Sequence, residues 1–272
     1  MTTVHSLPVP GARLHYEVRG AGPLLILVGA PMDSGPFTPL AEALADAYTV
    51  VTTDPRGISR STVDDPDRDA TPEQRADDLR RIVTSFGEES ADVFGSSGGA
   101  VTGLVLAARS PQYVRTLVAH EPPLLTLLPD ARERLAEVEE VRRTFLAEGQ
   151  GAAWAKFLAA AGTPGPGPGP DQAPPPPPSP EQEANGAFML GHMLRGITHH
   201  RPSLEALRTG GTRIVPAAGG TSSGQTAHRA AAALAENLGC GLTVFPGGHA
   251  GFAEHPAAFA GLLRDVLVRA PA

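Results

Sequence analysis

The stretch Val93-Phe94-Gly95-Ser96-Ser97-Gly98-Gly99-Ala100 constrains the fold of this chain more than any other segment. A short apolar run breaks there into small residues and restarts as a helical pattern over 100–109. Gly-x-Ser-x-Gly in that setting predicts a strand, a sharp turn and a helix, with a serine hydroxyl held at the strand tip in a strained conformation. Glycine and serine also spell an ordinary turn, but a strand before and a helix after are the context that a nucleophile turn needs. Ser96 lacks a glycine two residues earlier, because that position is Phe94, so Ser97 is the candidate nucleophile.

The surrounding pattern suits such a turn. At 272 residues the chain can form one large domain, or a domain with a lid, around a substantial core. Residues 4–8 and 13–18 read as an opening hairpin. Nearly continuous apolar runs at 23–28, 48–53, 91–94, 114–120, 213–218 and 242–245 read as strands covered on both faces. Helical spacing occupies 37–47, 72–86, 100–109, 226–238 and 256–268. The alternation predicts an α/β architecture, a mostly parallel central sheet with helices on both faces.

One region breaks the rhythm. Between 122 and 208 no convincing strand appears, while 130–161 and 181–198 carry helical spacing. The expected organisation is a core of 1–121 and 209–272 with an inserted helical cap at 122–208. Within the cap, 163–180 alternates proline with glycine and then runs through five prolines at 174–178. That composition predicts an extended, semi-rigid linker.

Composition narrows the partners. A net charge of -7 with no basic run argues against nucleic acid. The single cysteine, Cys240, excludes an intrachain disulfide and a thiolate metal site. No apolar run approaches the roughly 20 residues that a membrane helix needs, and 1–16 lack a basic-then-apolar leader. The expectation is a cytoplasmic protein with a small-molecule substrate and no nucleic-acid or membrane partner; association as a homodimer stays open.

A serine hydroxyl is a poor nucleophile and needs a base, itself oriented by a third group. Among nine histidines, His249 follows the last predicted strand in Pro246-Gly247-Gly248-His249, which delivers it to the carboxyl edge of the sheet where ligands bind. His5, His15, His192, His199, His200, His228 and His255 read as structural or exposed.

These residues resemble the α/β-hydrolase superfamily over nearly the whole chain. Gly95-Ser96-Ser97-Gly98-Gly99 resembles its nucleophile elbow, and Asp54-Pro55-Arg56-Gly57-Ile58-Ser59-Arg60-Ser61 the turn after its fourth strand. Gly247-Gly248-His249, with His255-Pro256 and Phe259-Ala260, resembles its terminal histidine segment. Many members carry the acid after the seventh strand, yet 217–225 contains no carboxylate. Glu121, in His120-Glu121-Pro122-Pro123 at the end of the sixth predicted strand, then takes that role by triad logic; the alternative is that it only marks the entrance to the cap. This arrangement is similar to the zearalenone lactonases. Haloalkane dehalogenases look alike at that acid, but they and epoxide hydrolases use an aspartate nucleophile.

Acyl transfer also requires donors to the developing oxyanion. One expected donor is the N–H of Gly98. The other follows from the loop Val28-Gly29-Ala30-Pro31-Met32, which resembles a His-Gly-x-Pro loop with valine in place of histidine and so implies Ala30. Met32, Phe37, Leu124, Leu125, Trp154, Phe157, Phe188, Met189 and Met193 are candidates for an apolar pocket under the cap, although the same spacing serves helix packing. The resulting expectation is a serine hydrolase that cleaves an apolar ester or lactone without metal or cofactor. A perhydrolase or haloperoxidase-like enzyme, and a non-catalytic ligand receptor, are the alternatives.

Overall fold

Nine strands run in chain order as β1 (Thr2–Val9), β2 (Ala12–Arg19), β3 (Leu24–Val28), β4 (Thr49–Thr53), β5 (Thr62–Val63), β6 (Ala91–Ser96), β7 (Val114–His120), β8 (Arg213–Gly219) and β9 (Thr243–Phe245) in a computed structural model that describes residues 1–162 and 177–268. They form one sheet in the order β1-β2-β4-β3-β6-β7-β8-β9, with β5 paired to β2. The hairpin end is antiparallel, and every pairing from β4 through β9 is parallel. The two-residue β5 has no counterpart among the predicted strands.

β3 shows why the sheet is covered twice. Its sequence Leu-Leu-Ile-Leu-Val is buried at every position. Leu24, Ile26 and Val28 join one hydrophobic cluster, whereas Leu25 and Leu27 join another on the opposite face. Successive side chains of a strand point to opposite sides, so an unbroken apolar run demands helices above and below.

Those helices are α1 (Thr38–Leu44), α2 (Pro72–Ser85) and α3 (Gly98–Arg109). α2 starts on a capping box in which Thr71 and Gln74 bond reciprocally to each other's backbone. It packs with α3 in the first cluster, and α1 packs in the second. α3 begins two residues before its predicted start, because the Ser97 carbonyl already accepts from Ala100 N–H at 3.0 Å.

Between β7 and β8 lie α4 (Ala131–Glu148), α5 (Gln150–Ala161), α6 (Pro180–Phe188), α7 (Leu194–Thr198) and α8 (Leu204–Thr209). The single helix predicted over 130–161 is two, broken at Gly149, whose φ of 89° suits glycine. α6 runs into α7 through a π-helical turn, Met189–Met193. Val138, Val141, Met189, Leu190 and Leu194 give this insertion a core of its own. The proline-rich linker expected at 163–180 lies outside the described residues as far as 176. The chain closes with α9 (Thr226–Leu238), α10 (Gly251–Glu254) and α11 (Pro256–Val268). α10 and α11 bring Phe252 and Phe259 against Phe94, Phe245 and Phe37, an aromatic cluster beneath the parallel strands.

Candidate active site

Ser97 sits between β6 and α3 with φ 55° and ψ −124°, left-handed backbone that a serine adopts only under constraint. Its neighbours supply that constraint. Ser97 N–H donates to the His120 carbonyl at 2.9 Å, tying the turn to the end of β7. A β-carbon at Gly95 would lie 2.7 Å from Ala100 Cα, and one at Gly99 would lie 2.2 Å from the Val28 carbonyl oxygen. Both glycines are therefore steric requirements of the turn.

Glu121 follows β7, also in a left-handed conformation, with φ 47°. Its N–H donates to the Ala217 carbonyl at 2.9 Å, so the chain turns toward β8. The fully buried carboxylate receives His249 Nδ1 at 2.5 Å on one oxygen. On the other it accepts from Gly219 N–H at 2.9 Å and from the Ser222 hydroxyl. Burial pushes the carboxyl pKa up, but the bond and charge of His249, with the Ser222 and Gly219 donors, outweigh it and bring the value to about 2. An ionised carboxylate only accepts, so His249 directs an N–H from Nδ1 at it, and in the neutral imidazole Nε2 is then the nitrogen with a lone pair.

His249 reaches this position on a loop that glycine makes thin. A β-carbon at Gly219 would lie 2.5 Å from the Gly248 carbonyl oxygen, and one at Gly251 would lie 2.0 Å from that of Pro246. Backbone bonds from Gly220 to Phe245 and from Thr221 to Gly247, at 2.9 and 3.0 Å, fasten the loop to the end of β8. The acid-free segment 217–225 thus serves the site through backbone donors and one hydroxyl. Ser222 is fully buried, yet a serine in a glycine-rich loop carries no local mark of the carboxylate it meets 101 positions away.

Ser97 and His249 line one cavity of about 520 Å³, with Ala30 and Pro31 on the sheet side. No hydrogen bond joins the Ser97 hydroxyl to His249 in this conformation; such contacts commonly tighten only around substrate. The insertion roofs the cavity with Val138, Val141, Phe157, Met189, Leu194 and Ile197. Arg134, Glu137 and Glu254 are its charged lining residues, and Arg134 is paired to Asp130, Glu133 and Glu137. Among the described residues the chamber therefore presents mainly apolar walls without an unpaired cation.

The remaining sequence candidates separate. Met189 lines the cavity, as do Leu125 and Phe157. Met32 and Phe37 instead pack in the cluster beneath the sheet, where Phe37 stacks on Phe252 at 4.6 Å. Leu124, Phe188 and Met193 belong to the opposite sheet cluster, and Trp154 packs against the insertion's core, edge-on to Phe157. For these six, apolar character signalled packing but not which surface each side chain meets. Gly98 and Ala30 do adjoin, yet Gly98 N–H points at the Ala30 carbonyl oxygen, 3.2 Å away. That contact must open or be shared for the amide to receive a substrate oxygen.

His120 lies directly behind the site. It is fully buried among Phe94, Phe245 and Phe259, its ring 6.4 Å from that of His249, and among the described residues neither of its nitrogens has a hydrogen-bond partner. Burial brings its pKa down to about 4, more strongly than the adjacent Glu121 charge raises it.

Comparison with known proteins agrees with this architecture. A family model described as alpha/beta hydrolase fold matches residues 22–161. An uncharacterized hydrolase of Bacillus subtilis, YraK, is 35% identical over 269 residues, which is 96% of this chain and 95% of that one. Zearalenone hydrolase of Cladophialophora bantiana is 32% identical over 117 residues, 42% of this chain and 44% of the other. A thermophilic esterase from Thermogutta terrifontis superposes with a TM-score of 0.72 over 98% of both chains at 19% identity, a likeness of fold. Among the described residues no helix is long and apolar enough to cross a membrane.

Proposed function

The chain belongs to the alpha/beta hydrolase fold family, and from that premise we propose that it is a serine hydrolase cleaving a carboxylic ester or lactone in an apolar substrate. The observation that carries this reading is the buried Glu121 carboxylate on His249 Nδ1, with His249 and Ser97 opening onto one cavity. The arrangement leaves Nε2 as the only basic atom of the imidazole, on the side away from the acid.

In this mechanism His249 Nε2 takes the Ser97 proton as Oγ bonds to the substrate carbonyl carbon. The N–H groups of Gly98 and Ala30 stabilise the oxyanion once the Gly98–Ala30 contact has opened. The tetrahedral intermediate collapses, the carbon–oxygen ester bond breaks, and His249 returns the proton to the leaving alkoxide. Water, deprotonated by the same nitrogen, then attacks the acyl-enzyme and releases the acid and free Ser97. Glu121 stays ionised throughout and stabilises the transient imidazolium.

The helical insertion acts in this reading as a cap, and its apolar side chains select the substrate by excluding water from the acyl group. The name of the Cladophialophora relative, a zearalenone hydrolase, supports a lactone as one substrate type. The test is labelling with a fluorophosphonate, followed by peptide mapping and turnover of an aliphatic ester and lactone panel. Labelling at Ser97, lost in His249→Ala, together with turnover of apolar members is expected. Modification at another residue, or turnover retained in Ser97→Ala, would overturn the reading.

A further inference from the structure

Ser59 lies in the segment Asp54-Pro55-Arg56-Gly57-Ile58-Ser59-Arg60-Ser61, which the chemistry above leaves unused. Its φ is 49°, left-handed backbone where glycine would sit without strain. A serine persists there only where its surroundings hold the backbone in place. The Ser59 hydroxyl donates to Asp33 Oδ2 at 2.8 Å, and it accepts from Asn185 Nδ2 at 2.8 Å. Its N–H donates to Asn185 Oδ1 at 2.7 Å, so the asparagine amide and the serine bond reciprocally.

These partners belong to functionally different parts. Asn185 is on α6 of the insertion. Asp33 is three residues beyond Ala30, in the loop after β3 that carries the proposed oxyanion donor. The next residue of that loop, Ser34, is held separately: its N–H donates to Asp54 at 2.9 Å, and its hydroxyl accepts from Arg60 at 2.6 Å. Asp54 and Arg60 anchor the loop to the sheet core, whereas Ser59 is the atom-level link from that loop to α6.

We propose that Ser59 is a positioning residue that couples docking of cap helix α6 to placement of the Ala30 loop, which carries the second proposed oxyanion donor. With Asn185 seated on Ser59, Asp33 is drawn toward the 54–61 turn. The Ala30 carbonyl, now accepting from Gly98 N–H, is on the same short loop. The link therefore acts on how well the oxyanion is held and only weakly on how tightly the ground-state substrate binds. This inference rests on the serine hydrolase reading, and its test separates the two.

Ser59→Gly removes the hydroxyl while keeping the backbone conformation and relieving its strain. Expected are a thermal midpoint equal to or above that of the parent, a five- to twentyfold fall in kcat with an apolar ester, and a KM within twofold. Asn185→Ala should give a similar fall, and the double variant little more than either, since both break one link. Hydrogen exchange at 30–37 should be faster in Asn185→Ala than in the parent, a readout that needs no turnover. Unchanged kcat in Ser59→Gly, independent losses in the double variant, or unaltered exchange at 30–37 would overturn the coupling. A parent protein that turns over no ester, yet shows the exchange effect, would remove the hydrolase reading and leave the mechanical link standing.

Discussion

Glu121→Gln isolates the orienting charge, because it alters the acid's hydrogen-bonding character while leaving its shape. Glutamine keeps one oxygen, which can still accept from Gly219 N–H and Ser222, so the buried end of the side chain remains satisfied. Its other terminus becomes an NH2 donor facing His249 Nδ1, where the carboxylate accepted at 2.5 Å. Two donors cannot share that position, so His249 moves its proton to Nε2, the nitrogen that must be bare to receive the Ser97 proton. Wrong-tautomer substitutions of this kind cost roughly 10⁴-fold in kcat, or about 5 kcal/mol of transition-state stabilisation. Steady-state kinetics on an apolar aryl ester, with thermal unfolding run alongside, should show that loss in kcat with little change in KM and a retained cooperative transition. A folded variant whose kcat stays within tenfold of the parent would refute the assignment of Glu121 as the acid.

Other outcomes follow from the same geometry. His120 titrates near its ordinary 6.5 when unfolded and at about 4 when folded, so the unfolded chain binds more protons between those values and stability drains away as pH falls through that window. The difference is on the order of 3 kcal/mol, and urea unfolding of His120→Phe should lose most of that pH dependence; an unaltered slope between pH 7 and 4.5 would contradict it. Glu121 acts lower, its stabilisation present above its ordinary 4.5 and lost as pH falls toward about 2. Gly99→Ala puts a β-carbon 2.2 Å from the Val28 backbone oxygen, and the denaturant midpoint should fall by an amount equivalent to about 3 kcal/mol or more. Ile197→Ala clears the cavity wall beside Gly98, which should shift the kcat/KM ratio of a branched over a linear acyl ester upward by roughly tenfold; an unchanged ratio would place the acyl group elsewhere.

What could be read from the chain beforehand follows the range over which each interaction is encoded. The Ser97 turn is local: its glycines, its preceding strand and its following helix lie within 91–109, so its strain was legible. His249 was legible for a similar reason, as a histidine among glycines just past a strand. Glu121 emerged by elimination, and its contact with His249 spans 128 positions. The pocket was less legible because apolar spacing reports that a helix face is buried, without saying against what. Phe188, Met189 and Met193 illustrate the difficulty, since the π-helical turn at Met189–Met193 changes the helical phase that a 3.6-residue reading carries through. Met189 then faces the cavity while Phe188 and Met193 pack toward the sheet.

The acid-free loop after β8 shows how an apparent deficit becomes a construction. A carboxylate at the end of β7 must cross the end of β8 to reach a histidine that follows β9, and the sheet order β6-β7-β8-β9 fixes that path. A second carboxylate in the intervening loop would repel Glu121 and leave one of the two protonated. The loop instead presents Gly219 N–H and the Ser222 hydroxyl to Glu121, while its backbone at Gly220 and Thr221 holds the histidine segment. In the proposed triad, an acid after β7 rather than after β8 changes what the β8 loop supplies, from a charge to donors that stabilise a charge. Ser222→Ala should accordingly raise the pKa of Glu121 and lower kcat at acidic pH while sparing it near pH 8, and an unshifted acidic limb would show that the Ser222 hydroxyl is not holding the charge.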